Sequence, residues 1–338
     1  MIKLSVIIPT RNRSACLDRT LASITRQSFS RDEFEVLVVD NGSEDNTRDL
    51  VNSYLGKIKH LRYFYAPIPG LHVGRHKGMQ EASADILVYA DDDIEAFPTW
   101  LEGIKESFED KGTVLVGGKN LPKFLSEPPE WILRMWGRTE KSGHVLGYLS
   151  ILDLGEETKE ISPYYVFGCN FSIRKAILLE AGGFHPDAMP QELISYRGDG
   201  ETHVSKYISE NKYRAIYNPK ASIYHIIPSN RLTIEYFCIR AHNEGISRSF
   251  SKIRGSHGLS ISGRKKYVLK IRDILRIIRT VIMKLVKKDK KSLDSEIQKK
   301  IEASFHAGML FHQTEVKKDP ELGAHVLRTT YLVDKQHE

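Results

Sequence analysis

Two hydrophobic periods alternate along the first third of the chain. Leu4-Ser-Val-Ile-Ile-Pro9 and Val36-Leu-Val-Val-Asp40 are nearly continuous apolar runs of strand length. Between them, Leu17, Leu21 and Ile24 recur at helical spacing within residues 16–27. Strand, helix and strand within about 40 residues predict a βαβ unit with parallel strands. The unit then repeats. A helix is expected over 45–54 with Ser43 as its N-cap, a strand over 61–65, a helix over 73–82, and a buried strand over 86–90 that runs straight into Asp91. Apolar strands alternating with amphipathic helices predict a mostly parallel, Rossmann-like α/β sheet covered on both faces.

Beyond Trp100 the rhythm changes. A helix over 101–108 and a strand over 113–117 are expected, whereas 121–158 reads as irregular, with Pro128-Pro129, Trp131, Trp136 and several glycines. A stretch of that length without regular structure is usually functional or mobile. A strand follows over 164–173, then a helix over 174–181 stopped by Gly182-Gly183. A helix over 201–210 and extended segments at 214–217 and 222–225 come next. From Ile234 the pattern is helical. Within 265–286 one stripe carries Val268, Ile271, Ile274, Leu275, Ile278, Val281, Ile282 and Leu285, with Lys and Arg on the other face.

Composition changes this picture little, and charge changes it more. The 338 residues suit one large α/β domain with an appendage, or two modest domains. Cys16, Cys169 and Cys238 have no metal-ligand spacing and read as reduced thiols of a cytosolic protein. The opening MIKLSVIIPTRNRS does not read as a signal peptide, because Arg-Asn-Arg follows its short apolar run. No run of about 18 apolar residues predicts a membrane span. The formal charge of +7 is local: 14 Lys/Arg against Asp273 and Asp289 between Lys252 and Lys291 give +12 there, leaving −5 for the rest.

Candidate chemistry gathers where strands end, since the carboxyl ends of parallel strands face a common crevice. Three ends carry polar residues: Pro9-Thr10-Arg11-Asn12, Asp40-Asn41-Gly42-Ser43 and Asp91-Asp92-Asp93. No GxGxxG follows the first strand and no GxxxxGK[ST] occurs, which argues against dinucleotide and P-loop sites. Adjacent carboxylates repel. In an extended segment Asp91 and Asp93 can face one way and Asp92 the other. Such a run suits a hard divalent cation shared with phosphate oxygens, or else a solvated acidic turn. Asp40-Asn41-Gly42-Ser43 is also good turn chemistry. Arg75, His76 and Lys77 can grip a diphosphate or form a solvated helix face.

These motifs together resemble a known group. SVIIPTRNR, VLVVDNGSEDNT, GLHVGRHKGMQEASADILVYADDDI, YVFGCNFSIRKAILLEAGGF and GDGETHVSKYISENKYRAIYNPKASIYH are similar, in that order, to the family 2 glycosyltransferases of GT-A fold, over roughly residues 1–245. The resemblance implies a catalytic domain over 1–245, with a nucleotide-sugar-binding half (1–118) and an acceptor-binding half (119–245), and a basic, mainly helical region over 246–338. It implies inverting transfer from a nucleoside-diphosphate sugar, a UDP-sugar by expectation, to a glycan or lipid-linked hydroxyl with Mn²⁺ or Mg²⁺. Pro9, Thr10, Arg11, Asp40, Arg75, Asp91 and Asp92 then fall on the nucleotide-sugar side. Asp93, Asp91 and His225 are the implied metal ligands, and Asn170 lies in the acceptor-side segment. The family's base is the second residue of a Glu-Asp pair opening a helix. Here Gly198-Asp199-Gly200-Glu201 stands instead, so Glu201 and Asp199 are both candidates. Trp131 and Trp136 are candidates for an acceptor wall, and Arg240 for a contact to phosphate.

Two other classes compete. A sugar-phosphate nucleotidyltransferase could share the sheet and acidic site, but the first strand lacks a GxGTR-like loop. A non-catalytic sugar-nucleotide-binding protein would not need the base candidates. Residues 264–291 could contact anionic lipid at the inner face of the plasma membrane or pack on the domain or a second subunit. No nucleic-acid-reading motif accompanies their charge.

Overall fold

The computed structural model describes residues 1–137, 139–140, 143–259 and 293–332. Its larger sheet contains β1 (Leu4–Thr10), β2 (Phe34–Asp40), β3 (Leu61–Tyr65), β4 (Ile86–Ala90), β6 (Thr113–Gly117), β11 (Lys159–Ile161), β12 (Asn170–Arg174) and β13 (Arg214–Tyr217). Their order is β11-β13-β6-β12-β4-β1-β2-β3. The β1–β2, β1–β4, β2–β3 and β6–β13 pairs are parallel, while β12 runs antiparallel to β4 and β6.

Every residue of β1 and β2 is buried because the sheet is covered twice. Val6, Ile8, Val36 and Val38 pack toward α1 (Ser14–Ile24) and the start of α4 (Trp100–Ser107). Ile7, Leu37, Val39 and Tyr89 pack on the opposite face with α3 (Leu71–Glu81), α6 (Lys175–Glu180) and α7 (Glu201–Glu210). α3 comes so close that a Cβ on Gly78 would lie 2.2 Å from Ile7 Cγ2. The expected helix over 45–54 is shorter, α2 (Thr47–Asn52). Ser43 does not cap it; its hydroxyl instead accepts the Asn12 N–H at 2.9 Å.

The stretch expected to be irregular is a correction. With α5 (Glu130–Trp136) it forms much of a second sheet. That sheet contains β5 (Ile94–Ala96), β7 (Asn120–Phe124), β8 (Thr139–Glu140), β9 (Gly143–Leu146), β10 (Ile151–Asp153) and β14 (Ile223–Ile227), in the order β5-β14-β7-β10-β9-β8. These strands are too short to show a period. The expected strand over 164–173 begins only at Asn170, after a 3-10 turn at Pro163–Tyr165.

Among the described residues the chain passes from the first sheet to the second three times: from β4 to β5 through Asp91–Asp93, from β6 to β7, and from β13 to β14. The crossings are tight, since a Cβ on Gly118 would lie 1.9 Å from the Ala221 carbonyl oxygen.

Residue 245, the expected end of the catalytic domain, falls inside α8 (Ile234–Ser256). α8 packs against α9 (Leu293–Lys318) backbone to backbone. A Cβ on Gly245 would lie 2.0 Å from the Phe305 carbonyl oxygen, and one on Gly308 the same distance from that of His242. α10 (Pro320–Val326) follows, N-capped by Asp319. Arg254 donates to the Val326 and Arg328 carbonyls at 2.7 and 2.6 Å. Tyr331 thereby comes against Phe250, His72 and His185. Residues 264–291 lie outside the described residues. Among the described residues, no helix is long and apolar enough to cross a membrane.

This C-terminal seam buries uncharged imidazole. Burial pushes His72 down to about 4 and His76 to about 3, and each is at most 8% exposed. The unfolded chain, with ordinary histidines, therefore binds protons that the folded chain refuses. Stability should fall as pH drops from about 6.5 to 4, by about 1.4 kcal/mol per pH unit for each such histidine. Urea denaturation across this range should show the slope, and His76→Gln should reduce it; an unchanged slope in the variant would contradict the assignment.

Candidate active site

The strand ends and crossings enclose a cleft of about 430 Å³. Pro9, Thr10, Arg11 and Arg13 line it at and after the end of β1, Asp91–Asp93 beyond β4, and His225 and Arg231 at and after β14. Arg75 enters from α3, Glu201 from α7, and Tyr236, Arg240 and Glu244 from one face of α8.

The acidic run is a turn between two sheets, so its side chains do not alternate as they would in a strand. Asp92 and Asp93 share one cation: Arg13 Nη1 lies 2.7 Å from Asp92 Oδ1 and Nη2 2.7 Å from Asp93 Oδ2. Thr10 donates its hydroxyl to Asp92 at 2.7 Å. Burial nevertheless pushes the Asp92 carboxyl up to about 7, against the pull of Arg13. Asp91 turns instead to Arg75, whose Nη2 is 3.7 Å away.

Asp93 has a second cation, Arg231, at 2.9 Å from Oδ2. Burial opposes its charge, but neighbouring His225, Arg13 and Arg231 hold the carboxyl well below its ordinary value. Its other oxygen, Oδ1, is buried without a hydrogen-bond partner among the described residues. His225 Nε2 lies 3.4 Å from it. The far ring nitrogen, Nδ1, is 2.7 Å from the Leu149 carbonyl, which can only accept. Nδ1 therefore carries a proton, and in the neutral ring Nε2 offers a lone pair. A carboxylate oxygen and an imidazole lone pair facing one another fit a divalent cation, with the histidine oriented by a carbonyl behind it.

Glu201 opens α7 directly after Gly200, whose φ of +52° favours glycine. Its carboxylate accepts the Gly168 N–H at 3.3 Å and lies 3.4 Å from Arg75 Nη1. With 27% of its side chain exposed, it remains reachable from the cleft. Arg75 is buried between Asp91 and Glu201, its guanidinium over the Phe184 ring. Asp199 is engaged differently. One oxygen meets His185 Nδ1 and the other accepts the Ser251 hydroxyl, both at 2.5 Å. Of the two base candidates, Glu201 has the freer carboxylate.

Other expected residues lie elsewhere. Asp40 does not line the cleft: its oxygens accept from the Tyr63 hydroxyl and the Ser43 N–H, each at 2.7 Å, while adjacent Asn41 reaches the lining. Asn170 is a buried fastener between the sheets rather than an acceptor contact. It accepts from Trp100 Nε1 at 2.9 Å and donates to Asn120 Oδ1 at 3.2 Å and to the Ala221 carbonyl at 2.9 Å. Its predecessors Gly168 and Cys169 line the cleft. Trp131 and Trp136 do not. Trp131 packs against Phe237 and lines a second cavity of about 210 Å³ beside α9, and Trp136 packs near His144. His76 is buried, accepting the Phe184 N–H at 2.8 Å, and Lys77 pairs with Glu81. Sequence reasoning missed Arg13, although a cation just past the first strand end was its signal. It also missed Asp187, which pairs with Arg197 at 2.6 Å and has no local signal.

A family model described as glycosyl transferase family 2 matches residues 5–181. Validoxylamine A glucosyltransferase of Streptomyces hygroscopicus subsp. jinggangensis is 41% identical over 103 residues, 30% of this chain and 24% of its own length. The first curated relatives are thus matched over only about a quarter of their length. Glucosyl-dolichyl phosphate glucuronosyltransferase of Haloferax volcanii is 24% identical over 259 residues, 73% of this chain and 76% of its own. Among solved structures, the mannosyltransferase PcManGT from Pyrobaculum calidifontis, in complex with GDP-Man and Mn²⁺, superposes with a TM-score of 0.54 at 16% identity, over 98% of this chain and 84% of its own. At that identity the likeness establishes the fold, which is GT-A.

Two substitutions should separate site from scaffold. In Gly168→Ala the new Cβ would lie 2.4 Å from Arg75 Nη2 and 3.0 Å from Glu201 Oε1. Buried Arg75 cannot retreat, so the variant should keep its fold by circular dichroism and lose at least about tenfold in kcat. Asn170→Ala should instead cost about 2–4 kcal/mol in urea denaturation, because Trp100 and Asn120 lose buried partners.

Proposed function

The chain belongs to glycosyl transferase family 2, and on that premise we propose an inverting, metal-dependent transfer of a sugar from a UDP-sugar to a hydroxyl of a glycan or lipid-linked acceptor. One observation carries the reading: a single cleft contains both the Asp93–His225 pair, suited to a divalent cation, and the accessible carboxylate of Glu201. The solved relative in complex with GDP-Man and Mn²⁺ supports a nucleotide sugar and a metal. The Haloferax relative's name supports a lipid-linked acceptor.

In this reading the acceptor enters beside Glu201. Glu201 takes the hydroxyl proton as the oxygen bonds to the anomeric carbon. The bond from that carbon to the diphosphate breaks on the opposite face, and its electron pair leaves with the nucleoside diphosphate. Backside attack inverts the centre. Arg75 holds Glu201 in place by charge and opposes the burial that pushes the Asp91 carboxyl up. Arg13, Arg231 and Arg240 offer positive charge to the departing phosphates. Asp93, His225 and Asp91 would hold Mn²⁺ or Mg²⁺, which supplies further charge neutralisation when bound.

Asp93→Ala should reduce transfer from UDP-sugars at least about 10³-fold, and a chelator should do the same to the unaltered protein until Mn²⁺ is restored. Glu201→Gln should lower kcat by about 10²–10⁴ with little change in the donor KM. Activity indifferent to both Asp93→Ala and chelator would remove the metal. Pyrophosphate release from a nucleoside triphosphate and a sugar phosphate would instead favour a nucleotidyltransferase.

A further inference from the structure

A second cluster of ligand-type side chains lies beside Glu201, with Asp199 also lining the cleft, and is distinct from the Asp93–His225 pair. His185, Asp199 and His203 each offer a donor atom, and these atoms lie within 4.8 Å of one another. Zinc bonds of about 2.0–2.1 Å in tetrahedral geometry place ligand atoms about 3.3 Å apart, so on binding the 2.5 Å His185–Asp199 contact would open and the two stacked rings would part. His185 and His203 are 2% and 8% exposed, and their rings stack with centroids 3.5 Å apart. Asp199 supplies the carboxylate between His185 Nδ1 and the Ser251 hydroxyl.

The histidine orientation is the independent observation. His203 Nε2 lies 2.8 Å from the Ala181 carbonyl, which can only accept. That nitrogen therefore carries the proton, and Nδ1 is left as the ligand nitrogen. A ring fixed by a carbonyl on its far side is the usual support of a metal-bound histidine. Two imidazoles and one carboxylate suit zinc better than the oxygen-preferring Mg²⁺.

We propose that His185, Asp199 and His203 hold a structural zinc ion, with Ser251 or a water completing four-coordination. Binding replaces the proton between His185 Nδ1 and Asp199, and that proton moves to Nε2 in the other neutral tautomer of the same ring. The ion would join the segment after α6 to the start of α7 and, through Ser251, to the C-terminal part of α8. Its ligands Asp199 and His203 stand two residues on either side of Glu201, so it would fix the helix start that presents this carboxylate to the cleft.

The test uses the full chain, prepared without a metal-binding tag, equilibrated with zinc and dialysed into metal-free buffer. Elemental analysis should find about one zinc per chain. Asp93→Ala should retain it, and His203→Gln should lose it while remaining folded by circular dichroism. Cobalt in place of zinc should give the visible bands of a four-coordinate ion in the unaltered protein, a reading that stands even where His203→Gln fails to fold. An unaltered protein that retains neither metal overturns the proposal, as does a folded His203→Gln with full zinc.

Discussion

Everything at the candidate site depends on how the chain leaves one sheet for the other. The Asp91–Asp93 turn is one of three such crossings, and it is anchored from behind, because Asp93 accepts the Ile226 N–H at 2.9 Å through its own carbonyl. A turn held in this way cannot swing Asp92 and Asp93 into water. Asp92 and Asp93 remain almost unexposed, and their charge must be met within the protein. The neighbouring elements supply that compensation: Arg13 from the end of β1, Arg231 from beyond β14, and Arg75 from α3. The partnerless oxygen of Asp93 is where the compensation is incomplete. Facing the His225 ring 3.4 Å away, it marks the place suited to a ligand's cation.

Arg75 extends this logic across the cleft. It lies between a carboxylate of the acidic turn and the carboxylate opening α7, so one buried cation sets the spacing of two groups that come from sequence positions 110 residues apart. The close approach of Gly168 leaves room for this arrangement and little else. Around it, α8 contributes one polar face to the cleft while its glycine contact with α9 ties the C-terminal helices to the same body.

Much of the larger sheet was legible, because strands buried on both faces must be nearly continuously apolar. The runs at 86–90, 113–117 and 214–217 have the boundaries the sequence suggests, as does the less buried edge run at 61–65. The second sheet was not legible, since strands of two to five residues show no period and their turn residues read as loop. The acidic run was conspicuous, but the partner set was not. Arg13, Arg231 and Asp187 owe their roles to topology that no local spacing records. Trp131 and Trp136 misled for the opposite reason: an aromatic in a glycine-rich stretch invites a ligand reading, whereas here the hydrophobic effect buries Trp131 against Phe237.

The pair Asp199 and Glu201 shows how far composition alone can go. Two acids separated by one glycine are equivalent candidates for accepting a proton when read as a string. Gly200, at φ +52°, turns the chain sharply between them, so that the two side chains, both lining the cleft, find different partners. One carboxylate is consumed by His185 and Ser251. The other meets only a backbone N–H and a guanidinium at long range, and keeps exposure to the cleft. A base has to exchange its hydrogen-bond partners during a reaction, and a scaffold residue must not. The weaker and longer contacts of Glu201 are therefore the argument for its chemical role, and the short contacts of Asp199 are the argument against one.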